Sequence, residues 1–365
     1  MHYYGTLGPE CKKVELLEQM LKAGMTGVRM NMSHGNLDEN GDWISLLNLA
    51  AENCGVEKPQ VLIDLRGPEL RLGKVAVEYD VEEDQLVNFG IGGLSVPEML
   101  LQYAEVGDHI LLDDGKLEFV VESLFDADWK ADDGREAATC GVCVSAEADE
   151  PAENLRMENP ALVPLGTQAL SARVIRGGTI KSGKSLAIVG KELPMPTLTE
   201  SDLKNIAMAK DYGVTGVMQP FVRNKEDLLT VRAALDAAGG EHIQIFAKIE
   251  NLQGVAALEE LLPHCDHIVI ARGDLGNAMP LWELPRVQKT IAAKCREAGK
   301  PFMVVTQMLD SMHHRAVPTR AEVLDIYNAV LDGAASVMLT GETAAGMYPV
   351  EAMEYLVKTG EAALR

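Results

Sequence analysis

The chain predicts an α/β barrel of eight parallel strands and eight helices, interrupted by an inserted domain of antiparallel β structure. Two observations carry this reading. Short apolar runs rich in β-branched residues alternate with longer stretches of helical period along the 365 residues. Most of those runs are nearly continuous, as in parallel strands covered on both faces. After the third run the texture changes to short alternating segments broken by Gly92-Gly93, Asp113-Asp114-Gly115, Asp132-Asp133-Gly134 and Gly177-Gly178, which are hairpin signals.

The predicted barrel strands are Tyr3–Thr6, Thr26–Met32, Gln60–Leu65, Val214–Gln219, Ile243–Ile249, His267–Ala271, Phe302–Thr306 and Ser336–Thr340. Helices are expected at Lys13–Lys22, Asp42–Glu52, Ser201–Tyr212, Lys225–Ala238, Leu252–Leu262, Val287–Ala298, Arg320–Leu331 and Glu351–Ala363. Gly24, Gly213, Gly240 and Gly299 follow helices, where a left-handed cap favours glycine. The insertion is placed at residues 70–193, which assigns 1–69 and 194–365 to the barrel. That remainder, roughly 240 residues, is close to the ~250 typical of the fold. Inside the insertion, alternating runs at Leu72–Tyr79, His109–Leu112, Leu117–Ser123, Ala137–Ser145 and Ala172–Ile175 predict a small β-barrel. Hinges are expected near Gly67-Pro68 and Pro194-Met195-Pro196.

Composition narrows the function. An excess of 55 acidic over 33 basic residues, net −22, disfavours nucleic acid and anionic membrane as partners, since both require clustered positive charge. No apolar stretch approaches the ~20 residues that span a bilayer. The N-terminus has neither the basic nor the apolar segment of a secretory signal, so a cytoplasmic setting is expected. Cys11, Cys54, Cys265 and Cys295 fall singly, and the one CxxC, Cys140 and Cys143, lacks a second pair to complete a zinc site. Two half-buried thiols in a strand is the better account of it. His264, Cys265 and His267 flank the bottom of a strand, away from the mouth where barrel chemistry sits. His313 and His314 read as exposed loop residues.

Polar residues gather at the other, C-terminal strand ends. Arg29, Asn31 and Ser33 share a face at the second strand, Asp64 and Arg66 at the third, and Lys248 and Glu250 at the fifth; Arg272 and Asp274 follow the sixth and Thr306 ends the seventh. Packing alone favours Val, Ile and Leu at such positions. Simpler readings exist for each group: turn and cap residues for Asn31, Ser33 and Gly35, a structural ion pair for Lys248 and Glu250, and an Arg–Asp brace for Arg272-Gly273-Asp274. Taken together, Glu250 and Asp274 offer hard oxygens suited to Mg²⁺. Arg29 and Lys248 offer cations for a phosphoryl group, and Asn31, Ser33 and Asp64 offer oxygens of low total charge for a monovalent cation. Positioning and charge neutralisation are most of what phosphoryl transfer requires. No Walker A motif or kinase catalytic loop is present.

These residues lie in segments that resemble the pyruvate kinase family: Thr6-Leu7-Gly8-Pro9, Arg29-Met30-Asn31-Met32-Ser33-His34-Gly35, Asp64-Leu65-Arg66-Gly67-Pro68-Glu69, Ala247-Lys248-Ile249-Glu250-Asn251, Ala271-Arg272-Gly273-Asp274-Leu275-Gly276, Thr306-Gln307-Met308-Leu309 and Thr340-Gly341-Glu342-Thr343-Ala344. The resemblance implies a barrel with a β domain inserted after the third strand that closes over the site. It implies transfer of the phosphoryl group of phosphoenolpyruvate to ADP, giving pyruvate and ATP, in glycolysis, with Mg²⁺ and K⁺ as cofactors. Carried over by position, Arg29 contacts the phosphoryl group, Lys248 stabilises the charge in flight and the enolate, and Thr306 sits beside the enolate carbon. Glu250 and Asp274 bind Mg²⁺, and the backbone of Gly273 and Asp274 meets the substrate carboxylate. Asn31, Ser33, Asp64 and the carbonyl of Leu65 hold K⁺, with Glu69 standing where K⁺-dependent members carry glutamate. Asn31, His34, Arg71 and Lys184 line the nucleotide. A homodimer through the barrel domain is expected.

The chain also departs from the family. Leu65-Arg66 replaces the usual Thr-Lys, Pro220 replaces Ser, and the strip from Ile180 to Gly190 keeps only Ser182, Lys184 and Gly190 of the family pattern. The sequence ends after the eighth helix, so the family's C-terminal regulatory domain and the control that acts through it are expected to be absent. Two other functions suit the same residues: a Mg²⁺-dependent lyase or decarboxylase acting on an enolate or oxoacid, and a non-catalytic paralogue that binds a phosphorylated metabolite.

Overall fold

The computed structural model describes residues 1–113, 115–125, 169–191 and 193–365. The chain divides into two compact units, Met1–Pro68 with Met195–Arg365, and Glu69–Pro194. The predicted strand Ala137–Ser145, the turn at Asp132-Asp133-Gly134 and the Cys140–Cys143 pair lie outside the described residues.

The first unit is a closed parallel barrel of eight strands. In chain order they are β1 (His2–Thr6), β2 (Gly27–Asn31), β3 (Gln60–Asp64), β4 (Gly216–Gln219), β5 (Gln244–Ile249), β6 (His267–Ala271), β7 (Phe302–Val305) and β8 (Ser336–Leu339). Each pairs with the next, and β1 pairs with β8, His2 opposite Ser336. Several strands stop a residue or two short of the predicted ends, where the chain turns into polar loops. Inward residues form one core: Tyr4, Leu62, Met218, Phe246, Val269, Met303, Val305 and Met338 among them. The alternate residues, such as Ile245, Ala247 and Ile249, belong to a second core together with buried helix residues such as Leu228, Val231 and Leu235. This period-two division is what continuous apolar runs require. The closure is pinned at the mouth: Thr6 N–H donates to the Thr343 hydroxyl (2.9 Å), and that hydroxyl donates back to the Thr6 carbonyl (2.9 Å).

Two helical expectations need correction. Leu252–Leu262 is broken into Leu252–Ala256, Leu258–Leu261 and a tighter turn Leu262–His264. Pro263 cannot continue the backbone hydrogen bonding of a helix. After helix Lys225–Ala237 the left-handed residue is Gly239 (φ +69°), not Gly240.

The second unit holds an antiparallel six-stranded sheet in the order Leu70–Arg71, Ser185–Ile188, His109–Leu112, Leu117–Phe125, Ala169–Arg176, Leu86–Gly90, beside the pair Tyr79–Val81 and Gly178–Ile180. Leu117, Phe119 and Val121 alternate into its core. The predicted run Leu72–Tyr79 is not one strand. Its backbone bonds elsewhere: Gly73 N–H to the Ser95 carbonyl (2.7 Å) and Val75 N–H to the Ser182 hydroxyl (2.8 Å). No described helix is long and apolar enough to cross a membrane.

Candidate active site

The C-terminal ends of β2, β3 and β5 bring four charged side chains together in the barrel mouth. Asp64, the last residue of β3, is almost wholly buried. Arg29 of β2 grips it with Nε (2.8 Å) and Nη2 (2.6 Å), and its Nη1 makes a long 3.5 Å contact with the Thr6 hydroxyl. Lys248 of β5 places its ammonium 3.1 and 3.2 Å from the two Asp64 oxygens and 2.9 Å from Glu250 Oε1. The other Glu250 oxygen accepts the Phe221 N–H at 2.8 Å, at a residue with left-handed backbone (φ +52°). Two cations and two anions so buried are tolerable only because they neutralise one another.

The electrostatics follow from this packing. Burial alone would push the Asp64 carboxyl up, but Lys248 and then Arg29 outweigh it and hold it below the usual carboxylate range. Burial alone would also make the Lys248 ammonium easier to deprotonate. Asp64 and Glu250 outweigh that, with Arg29 opposing them, and keep it above the ordinary lysine value. Lys248 is therefore a permanent cation at neutral pH, suited to stabilising negative charge and not to accepting a proton.

Asn31 stands directly opposite Asp64 in the β2–β3 ladder. Its side-chain oxygen accepts the Ser33 N–H (3.1 Å), which tightens the turn carrying Ser33 and His34. Asn31 and Ser33 are half-buried and His34 is exposed. Leu65 is tied to the barrel by its N–H, which donates to the Met218 carbonyl (3.1 Å). Asp274 is half-buried on the short helix Arg272–Asn277, which starts directly from β6. Gly273 lies against Thr306: a Cβ at position 273 would sit 3.3 Å from Thr306 Cγ2. Arg71 and Lys184 belong to the second unit. Arg71 donates to the Gly183 carbonyl (2.7 Å) and pairs with Glu69 (2.5 Å), and Lys184 pairs with Asp113 (2.9 Å).

Other details depart from the sequence reading. Arg66 is exposed, 3.4 Å from the Ser33 carbonyl. Arg272 donates to the Thr306 carbonyl and pairs with Asp325 (2.6 Å). His313 is half-buried against Gly341, where a Cβ would come within 2.4 Å of its ring. His267 at the opposite end stacks on Phe246, ring centroids 4.2 Å apart. Burial pushes the Cys265 and Cys295 thiols up to about 12, which leaves them inert.

Two buried carboxylates that the sequence did not single out shape the mouth. Asp202 accepts from Arg66 N–H (2.8 Å) and Gly67 N–H (3.2 Å), and from the N–H (2.9 Å) and hydroxyl (2.7 Å) of Thr199. The spacing of Thr199 and Asp202, which form a capping box, is a helix-start signal in the sequence; the reach of Asp202 to the loop after β3 is not. Glu342 accepts from Leu309 N–H (3.0 Å) and Thr340 N–H (2.7 Å), joining the loops after β7 and β8.

Fold and site together define an α/β barrel whose mouth holds two cations, Arg29 and Lys248, paired with the buried carboxylates Asp64 and Glu250. Comparison with known proteins makes this specific. A family model described as "Pyruvate kinase, barrel domain" matches residues 2–139 and 162–353. The chain is 36% identical over 359 residues to a pyruvate kinase of Geobacillus stearothermophilus, covering 96% of this chain and 54% of that protein. It is 34% identical over 363 residues to one from Aeropyrum pernix, covering 99% and 70%, and 34% identical over 360 residues to one from Chlamydia pneumoniae, covering 96% and 66%. The chain belongs to the pyruvate kinase family. It spans about half the length of the Geobacillus protein and of a pyruvate kinase of Sporosarcina psychrophila, 54% and 56% respectively.

Proposed function

We propose that the chain transfers the phosphoryl group of phosphoenolpyruvate to ADP, giving pyruvate and ATP. The observation that carries this reading is the ammonium of Lys248, held charged by Asp64 and Glu250 beside the Arg29 guanidinium. Charge that leaves a transferring phosphoryl group collects on the enol oxygen, and a preorganised cation there stabilises the transition state more than the ground state. Arg29 would neutralise the phosphoryl oxygens. The backbone of Gly273 and Asp274 would meet the substrate carboxylate, and the Thr306 hydroxyl would stand beside the enolate carbon for proton delivery.

The donor set suits a hard divalent cation: Glu250 and Asp274 supply carboxylate oxygens at the ends of the neighbouring strands β5 and β6. Mg²⁺ held there would offset the charge of the phosphoryl and carboxylate oxygens. Asn31, Ser33, Asp64 and the Leu65 carbonyl would hold K⁺; the adjacency of Asn31 and Asp64 supports this. Asn31 and His34 are proposed as nucleotide contacts in the barrel unit, and Arg71 and Lys184 as phosphate contacts in the other. A homodimer through the barrel and a cytoplasmic setting complete the proposal.

The test is pyruvate formation from phosphoenolpyruvate and ADP with Mg²⁺ and K⁺, against a Lys248→Met control. A wild-type rate no higher than the control's would end it. Loss of the fixed cation is expected to lower kcat by ~10²–10³-fold.

A further inference from the structure

Two consecutive residues that are not glycine, Thr306 (φ +81°) and Gln307 (φ +54°), hold left-handed backbone directly after β7. That conformation is a genuine outlier for a β-branched residue. Such strain persists only where the surroundings over-determine it, and it clusters at functional sites. Arg272, the residue after β6, supplies the restraint here. Its Nη2 and Nε donate to the Thr306 carbonyl at 2.6 and 3.2 Å. Nη1 pairs with Asp325 of helix Arg320–Leu331 at 2.6 Å, and Nη2 lies 3.0 Å from the Met308 sulfur. A Cβ on the next residue, Gly273, would come 3.3 Å from the Thr306 methyl, tighter than an ordinary contact, and 3.8 Å from its hydroxyl, so the glycine leaves the methyl its place. Thus residue 272 grips the backbone of Thr306 and residue 273 bounds its side chain. The far end of the turn is held by Glu342 through the Leu309 N–H.

We propose that Arg272 is a positioning residue for proton delivery: its forked guanidinium fixes the left-handed backbone of Thr306, and with it the place of the Thr306 hydroxyl over Gly273. The proposal rests on the reading of Thr306 as the residue beside the enolate carbon. Asp325 takes the remaining nitrogen of the guanidinium without touching Thr306. A lysine at 272 keeps an ion pair with Asp325 but lacks the planar fork that serves carbonyl and carboxylate together.

The full-length Arg272→Lys and Asp325→Asn variants test this beside wild type. In Arg272→Lys, kcat is expected to fall by roughly ten-fold or more with the phosphoenolpyruvate KM within about two-fold, as for a misplaced catalytic group. Its solvent deuterium isotope effect on kcat is expected to rise, because proton transfer then limits turnover. Asp325→Asn, which retains the fork to Thr306, loses no more than about three-fold, the usual scale for a partly exposed ion pair. Amide hydrogen exchange over residues 303–310 is expected to speed up by about ten-fold or more in Arg272→Lys while the other barrel strands keep their protection. Equal losses of kcat in the two variants would make Arg272 a brace of the outer helix, and unchanged exchange over 303–310 would remove the clamp; either overturns the proposal. The exchange measurement needs no turnover, so an inactive wild type would refute the proposed reaction while the clamp stands or falls on its own result.

Discussion

The Lys248 ammonium lies 3.1 Å from the Asp64 carboxylate although a whole strand, β4, stands between β3 and β5. The curvature of the closed barrel makes this reach possible, since side chains directed inward from non-neighbouring strands converge at the mouth. Asp64 thereby joins the cations of β2 and β5 into one unit. Neutralising any member leaves another buried charge short of a partner.

Glu250 is proposed to bind Mg²⁺ while also accepting hydrogen bonds from Lys248 and Phe221. Glu250→Gln keeps the shape and removes the charge. The Mg²⁺ concentration for half-maximal rate is expected to rise by ~10-fold or more. A titration showing the wild-type midpoint would remove Glu250 from the metal site.

Gly273→Ala places a methyl 3.3 Å from Thr306 Cγ2. The helical backbone there favours alanine, so the melting temperature should hold or rise slightly. Activity should fall by roughly 10–100-fold, because sub-ångström displacement of a catalytic group is costly. Full activity with unchanged stability would show that Thr306 has slack.

Asp202→Ala removes the acceptor for four donors drawn from residues 66, 67 and 199. The Gly67 donor is buried and the others are partly so, and the expected loss of stability is about 2–3 kcal/mol by denaturant unfolding. A loss below about 1 kcal/mol would mean that water replaces the carboxylate.

Burial lowers the His267 pKa from 6.5 to about 4. The folded state therefore resists protonation that the unfolded chain accepts. The resulting stability is fully present above pH 6.5 and is lost as pH falls from there towards 4, by up to about 3 kcal/mol. Chemical unfolding across that range should show the decline, and His267→Phe should flatten it. A variant curve parallel to the wild type would assign the decline to other groups.

Much of the fold was legible because barrel strands are apolar on both faces and their helices carry ordinary caps. His267–Ala271 and Arg320–Leu331 fall where the pattern puts them. The misses have local causes. Leu72–Tyr79 alternates like a strand, yet its donors find a carbonyl and a hydroxyl off the ladder. Gly239 and Gly240 look alike in sequence, and only the helix end decides which takes positive φ.

Residue type and two-residue spacing by themselves determined that Arg29, Asp64, Lys248 and Glu250 lie at strand ends with their charges facing one mouth, because strand periodicity is a local property. Their pairing was decided by the tertiary structure alone. Asp64 between two cations, Arg272 on the Thr306 carbonyl, and Asp202 under the loop after β3 all depend on distances set by barrel closure. No local rule encodes which of several nearby partners a buried charge or backbone carbonyl will meet.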